Sequence, residues 1–301
     1  MKTSRVCIIG GTGFVGRHLI AKLANAGIAC RIPARRPHRH GSLAQQQGCQ
    51  LVALDGLDTQ SLQGHFRECD AVINLLGILN ETGSSSFEEM HVEAPRRILE
   101  AALQSGVKRL LHMSALNADE SGGASNYLRS KGKGENLMHT LNAGEVKVTS
   151  FRPSVIFGEH DSFINRFAQL LKIPGPLPLA CADAKFAPVF IGDVAAAFLR
   201  ALQDDSTTGE HYELCGPRVF TLGEIVDYIA RNMGVNKAVI HLGPGISRLQ
   251  ARILGMVPGK PFTMDNYNSL QQPSVCTQNG LQLLGIEATD MDAVVPQMLK
   301  R

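Results

Sequence analysis

Residues Val6-Cys-Ile-Ile-Gly-Gly-Thr-Gly-Phe-Val-Gly-Arg17 constrain this chain more than any other stretch. Four apolar residues run straight into Gly10-x-x-Gly13-x-x-Gly16, and an apolar-periodic segment follows with Phe14, Val15, Leu19, Ile20 and Leu23. That pattern predicts strand, glycine turn and helix, the context a dinucleotide fingerprint requires. Gly10 permits the tight turn, Gly13 lets the backbone approach a pyrophosphate, and Gly16 lets the helix pack close to the strand. Thr12, Phe14 and Val15 complete the candidate cradle, where the free N–H groups and positive end of the helix face phosphate.

The next residues repeat the alternation. Strands are expected at 5–10, 28–33, 50–54, 70–76, 108–113 and 147–152, and helices at 14–26, 59–65, 86–105 and 125–142. Alternating β and α at this spacing predicts an α/β fold with a Rossmann-type, doubly wound parallel sheet. After Pro153 the texture changes. Pro174, Pro176 and Pro178 interrupt the chain, helical patterns return at 192–203 and 221–233, and His211–Cys215 reads as a strand. We therefore expect a nucleotide-binding domain over 1–153 and a smaller mixed lobe over 154–301, with helix 192–203 packing back on the sheet.

Bulk properties narrow the partners. A net charge of +3 over 301 residues is too small to imply nucleic acid. No apolar run approaches the length of a membrane span. The seven cysteines form no C-x-x-C pair and are odd in number, which reads as a reducing compartment. A first strand starting near Arg5 leaves no room for a signal peptide, so a cytoplasmic location is expected. No metal site is expected: His38 and His40 have no third ligand nearby.

Nucleotide choice is read at the end of the second strand. An acid there would bind the ribose 2′-hydroxyl of NAD. This chain instead offers Arg35 and Arg36, and a guanidinium can hold a 2′-phosphate in bidentate fashion. NADP(H) is expected over NAD(H); a solvated basic loop is the alternative. Asp55, after the third strand, is placed to meet the adenine amino group or to make a turn before Gly56. Leu76 and Gly77 follow the fourth strand, where the backbone would pass the adenosine ribose.

The reactive candidates are Tyr127, Lys131 and Ser114. Tyr127 and Lys131 are spaced i, i+4 on a helix and share a face. The ammonium is expected to lower the phenol pKa, so that Tyr127 exchanges a proton with a substrate oxygen while Lys131 also reaches the cofactor ribose. Ser114, just after the fifth strand, could orient a carbonyl. His112 is expected to be packed. An apolar pocket is expected from Phe163, Phe167, Leu177, Leu179 and Phe186, which would serve equally as core.

Taken together, these residues resemble an atypical short-chain dehydrogenase/reductase. More narrowly, the chain is similar to the family of the NADPH-bearing accessory subunit of respiratory complex I. The likeness is carried by Gly10–Arg17, Val72–Gly77, His112–Asn117, Ser125–Lys131, Arg152–Gly158 with Asp161 and Phe163, Pro188–Val194 and Glu213–Pro217. The resemblance implies that Pro153, Ser154 and Val155 lie beside the nicotinamide and that Asp193 is structural. It also implies two functions: an oxidoreductase of ubiquinone-pathway-like hydrophobic compounds, or a structural NADPH binder in a membrane complex. Finally, Ile246, Leu249, Ile253 and Val257 form an apolar stripe flanked by Arg248 and Arg252. Such a helix either lies on a membrane surface at the inner face of the cell or packs on its own core.

Overall fold

The computed structural model describes residues 3–83, 85–141 and 144–300. Five parallel strands, β1 (Arg5–Ile9), β2 (Ala29–Ala34), β3 (Cys49–Ala53), β4 (Ala71–Asn74) and β5 (Arg109–Met113), form most of the sheet. They are linked by helices α1 (Phe14–Asn25), α2 (Thr59–Phe66) and α3 (Ala94–Gln104), and α4 (Asn126–Thr140) leads to β6 (Lys147–Pro153). The expected end of α4 at Asn142 lies outside the described residues. The last strand of the sheet, β7 (His211–Leu214), comes from far along the chain. The spatial order is β7-β6-β5-β4-β1-β2-β3, a doubly wound sheet with its reversal between β1 and β4.

The change of texture after Pro153 places β7 in the second lobe, but it pairs in parallel with β6, His211 opposite Ser150 and Leu214 opposite Pro153. A parallel neighbour needs a covering crossover, and helix α6 (Ile191–Gln203) supplies one. Val194 and Phe198 of α6 are fully buried against Ile73, Leu111 and Phe151 of the sheet. The opposite face is closed by Leu62, Phe66, Ile98, Leu99 and Met138. Sheet strands buried on both sides read as continuous apolar runs, which is why Val6–Ile9 and Ala71–Ile73 were legible.

The rest of the second half forms a separate core. Helix α5 (Ile164–Lys172), placed between β6 and α6 in the chain, packs with α7 (Leu222–Asn232) around Phe157, Ile225 and Ile229. Leu177, Leu179 and Phe186 go into this core rather than lining a ligand pocket, while Phe163 and Phe167 pack on it and stay partly exposed. Helices α8 (Pro244–Met256) and α9 (Met264–Ser269) come next in the chain. Asp193 does not cap α6: its carboxylate accepts from the Thr289 N–H (2.7 Å) and hydroxyl (2.9 Å), tying the C-terminal segment to that helix.

The uniformly reduced cysteines expected from the sequence are not found. Cys215 and Cys276 form a disulfide, their Cα atoms 6.0 Å apart across 61 residues of sequence. Folding brings the end of β7 under the segment after α9, a proximity that spacing alone could not reveal. Cys7, Cys30 and Cys69 remain free and buried, and burial raises their thiol pKa values. Among the described residues, no helix is long and apolar enough to cross a membrane.

Candidate dinucleotide and proton-transfer site

The glycine turn has the geometry its spacing predicts. Gly10 adopts φ +80°, a conformation that favours glycine. A Cβ on Gly16 would lie 2.3 Å from the Gly11 carbonyl oxygen, so only glycine lets α1 approach β1 this closely. Gly13 is the N-cap of α1, which has no side-chain cap and no acid in its first turn. Its first N–H groups are therefore left for an anion. Phe14 packs edge-on to His18 and Val15 packs against the sheet core, and both stay partly exposed. Thr12 accepts from Arg17 through its carbonyl (3.1 Å).

Arg35 and Arg36 are exposed beyond β2, and neither makes an ion pair among the described residues. Arg17, which the sequence reading did not single out, crosses from α1 to His40 (3.1 Å) and brings a third guanidinium to the same corner. Asp55 is exposed, while the neighbouring Asp58 takes the helix-capping role by accepting from Ser61 N–H at 2.9 Å.

The strand ends converge on α4. Lys131 is buried and donates to the carbonyls of Met113 (2.9 Å) and Leu76 (3.3 Å), which leaves one of its three protons uncommitted. A Cβ on Gly77 would approach its Nζ to 3.2 Å. Burial lowers the Lys131 pKa to about 8, opposed by Glu135. Tyr127 is partly buried, and its hydroxyl has no hydrogen bond among the described residues. Its ring meets His91 edge-on at 5.4 Å and Phe87 at 6.0 Å. The expected lowering of its pKa is not found: burial pushes the phenol up to about 12. Desolvation of the ring accounts for the shift, and the Lys131 ammonium, held by two carbonyls, does not offset it.

Ser114 departs from its expected role. Its hydroxyl donates to Glu135 at 2.6 Å, so its proton is committed and only its lone pairs remain for a substrate. Glu135 is fully buried and also receives Arg152 Nε (2.9 and 3.0 Å) and His211 Nδ1. Burial opposes its charge, but His211, Arg152 and Ser114 together hold its pKa down to about 2. Glu135 was missed in the sequence, although the signal existed: Tyr127, Lys131 and Glu135 recur every four residues on one helical face. His91 had no such signal. It sits in a π-helical turn, Glu89–Glu93, that interrupts the continuous helix expected at 86–105. Its Nε2 accepts from Ile78 N–H (3.1 Å), so Nδ1 carries the proton towards Ser130 Oγ (2.8 Å).

Pro153, Ser154 and Val155 lie where β6 leaves the sheet. Ser154 Oγ donates to the Ser274 carbonyl at 2.7 Å. His112 is packed, as expected: Nδ1 accepts from Asn74 Nδ2 (3.1 Å), and its buried Nε2 has no partner among the described residues. Glu135, His139 and His211 are close enough to suggest a metal site. The two imidazoles, however, are stacked at 4.0 Å and 29°. One ion cannot lie in both ring planes at ligand distance in that arrangement.

These histidines should make the protein acid-labile. Burial, with charge from Lys131, lowers the pKa of His91 to about 2 and of His112 to about 3; burial and His211 lower that of His139 to about 4. All three are neutral when folded, while the unfolded chain protonates them near their ordinary value of 6.5. Stability is therefore full above that pH and falls as pH drops below it. The two fully buried rings each cost about 1 kcal/mol per pH unit. Urea midpoints should fall between pH 7.5 and 5.5; a flat profile would contradict neutral buried rings.

The family follows from the match of residues 6–215, cradle, α4 and sheet included, to a single family description. The chain belongs to the NAD dependent epimerase/dehydratase family. Among its relatives, an Arabidopsis thaliana mitochondrial protein named NADH dehydrogenase [ubiquinone] 1 alpha subcomplex subunit 9 is 33% identical over 97% of this chain and 74% of its own. The NADH-ubiquinone oxidoreductase 40 kDa subunit of Neurospora crassa is 31% identical over 75% of this chain, and the match spans only 59% of that fungal protein. A ceramide reductase of Caulobacter vibrioides is 28% identical over 80% of this chain and 74% of its own. The fold matches that of MoeE5, solved with UDP-glucose and NAD, at a TM-score of 0.75 and 18% identity over 99% of this chain and 98% of that one.

Proposed function

We propose that this family member binds NADP(H) in the cradle of Gly10, Gly13 and Gly16 and is an oxidoreductase of a hydrophobic carbonyl or hydroxyl compound. The observation that carries the reading is a Tyr127 hydroxyl with no hydrogen bond among the described residues, one helical turn before a buried Lys131 whose ammonium is anchored at the ends of β4 and β5. The cradle suits a dinucleotide because Gly10 and Gly16 let the turn sit tight under α1, whose first N–H groups have no side-chain cap. Bound there, the cofactor supplies or accepts a hydride. Tyr127, neutral because burial raises its pKa, donates the proton to the substrate oxygen in the reducing direction. Lys131 would hold the cofactor ribose with its third proton, and Ser114, fixed by Glu135, would accept a hydrogen bond from the hydroxyl form of the substrate. A quinone-pathway-like substrate is our candidate, and the named ceramide reductase supports an apolar one.

Arg35 and Arg36 carry the preference for the 2′-phosphate. NADPH should bind about tenfold more tightly than NADH, and Arg35→Ala/Arg36→Ala should erase that difference. Titration by intrinsic or nucleotide fluorescence decides it; tighter NADH binding removes the assignment.

A second reading is favoured by the complex I names among the relatives. In it NADPH is a structural ligand, and the chain is a factor of a membrane respiratory or ubiquinone-biosynthesis complex at the inner face of the cell membrane. Exchange of labelled NADPH separates the two. Replacement within seconds supports turnover; replacement over hours with intact NADPH supports the structural role.

A further inference from the structure

Helix α8 is turned the opposite way from an ordinary surface helix. Its buried positions are the small Ser247 and Ala251. Its large apolar side chains face solvent: Ile246 is 59% exposed, Leu249 55%, Ile253 51% and Met256 79%, with Val257 at 41% just beyond. At 3.6 residues per turn the four helical positions fall within an arc of roughly 80°. Arg252 lies at one edge of that arc, exposed. Arg248 lies next to it, its guanidinium 5.8 Å from the centre of the Tyr267 ring. From Tyr228 to Met264 the chain holds Arg231, Lys237, Arg248, Arg252 and Lys260 and not one Asp or Glu.

We infer that this face of α8 docks on an anionic lipid surface. An apolar stripe with cations on its flank seats its side chains at the headgroup–acyl boundary and its charges among phosphates. A second copy of the chain is a poorer occupant, because a two-fold contact would bring cations against cations with no acid to meet them. The inference is independent of the nucleotide site, since α8 supplies none of its residues.

The test is co-sedimentation of the full chain with vesicles of phosphatidylcholine alone or mixed with phosphatidylglycerol. Binding should be strong to the mixed vesicles, weak to the neutral ones, and reduced by salt. Leu249→Ser/Ile253→Ser should lower partitioning on the order of a hundredfold, and Arg252→Gln about fivefold. All of these positions are exposed, so thermal midpoints should stay at the parent value and show that the variants are folded. Equal binding to both vesicle types, or undiminished binding by the double variant, would overturn the inference. So would a dimer seen by light scattering that the double variant abolishes while the parent ignores vesicles.

Discussion

Tyr127→Phe should lower turnover by a factor on the order of 10²–10⁴, the usual contribution of a positioned proton donor. Nucleotide affinity and thermal stability should stay unchanged. The separation is sharp because the phenol hydroxyl makes no hydrogen bond among the described residues, so its loss breaks nothing in the fold. The ring contacts to His91 and Phe87 survive in phenylalanine. With a phenol pKa near 12, the neutral form dominates at physiological pH, which suits donation in the reducing direction. Steady-state NADPH oxidation on any carbonyl compound the parent reduces is the measurement. Full activity in the variant would take Tyr127 out of the chemistry.

Glu135→Ala should be the most destabilising single change at the site, by about 3–5 kcal/mol. One fully buried carboxylate satisfies Arg152, His211 and the Ser114 hydroxyl at once. Its removal leaves a guanidinium uncompensated beside the sheet and opens a cavity under α4. The Glu135 pKa is held to about 2 against an ordinary 4.5. The group therefore stabilises the fold above pH 4.5, and that contribution fades as pH falls towards 2. Chemical denaturation at pH 7.5 should show the loss. Glu135→Gln should recover part of it by keeping the shape and a hydrogen bond to Ser114. A loss below about 1 kcal/mol would mean that Arg152 and His211 find water instead.

Features set by local chemistry are legible from the residues alone. Glycine spacing, continuous apolar strands and four-residue helical spacing are properties of neighbouring residues. From them the cradle, six sheet strands and the shared face of Tyr127 and Lys131 could be read directly. The remaining features depend on the folded chain, because they join residues far apart in sequence. β7 enters the sheet through register with β6, and the N–H groups of Asn126 and Tyr127 are held by Asp265, 139 and 138 residues away. The pairing of Cys215 with Cys276 and the meeting of Ser114, Glu135, Arg152 and His211 are of the same kind. The sign of the Tyr127 pKa shift followed from burial, which a spacing rule does not contain. The stripe on α8 could face either way by periodicity alone. Packing of Ser247 and Ala251 against the lobe turned its large side chains outward, because small side chains allow the closest approach of a helix to its support.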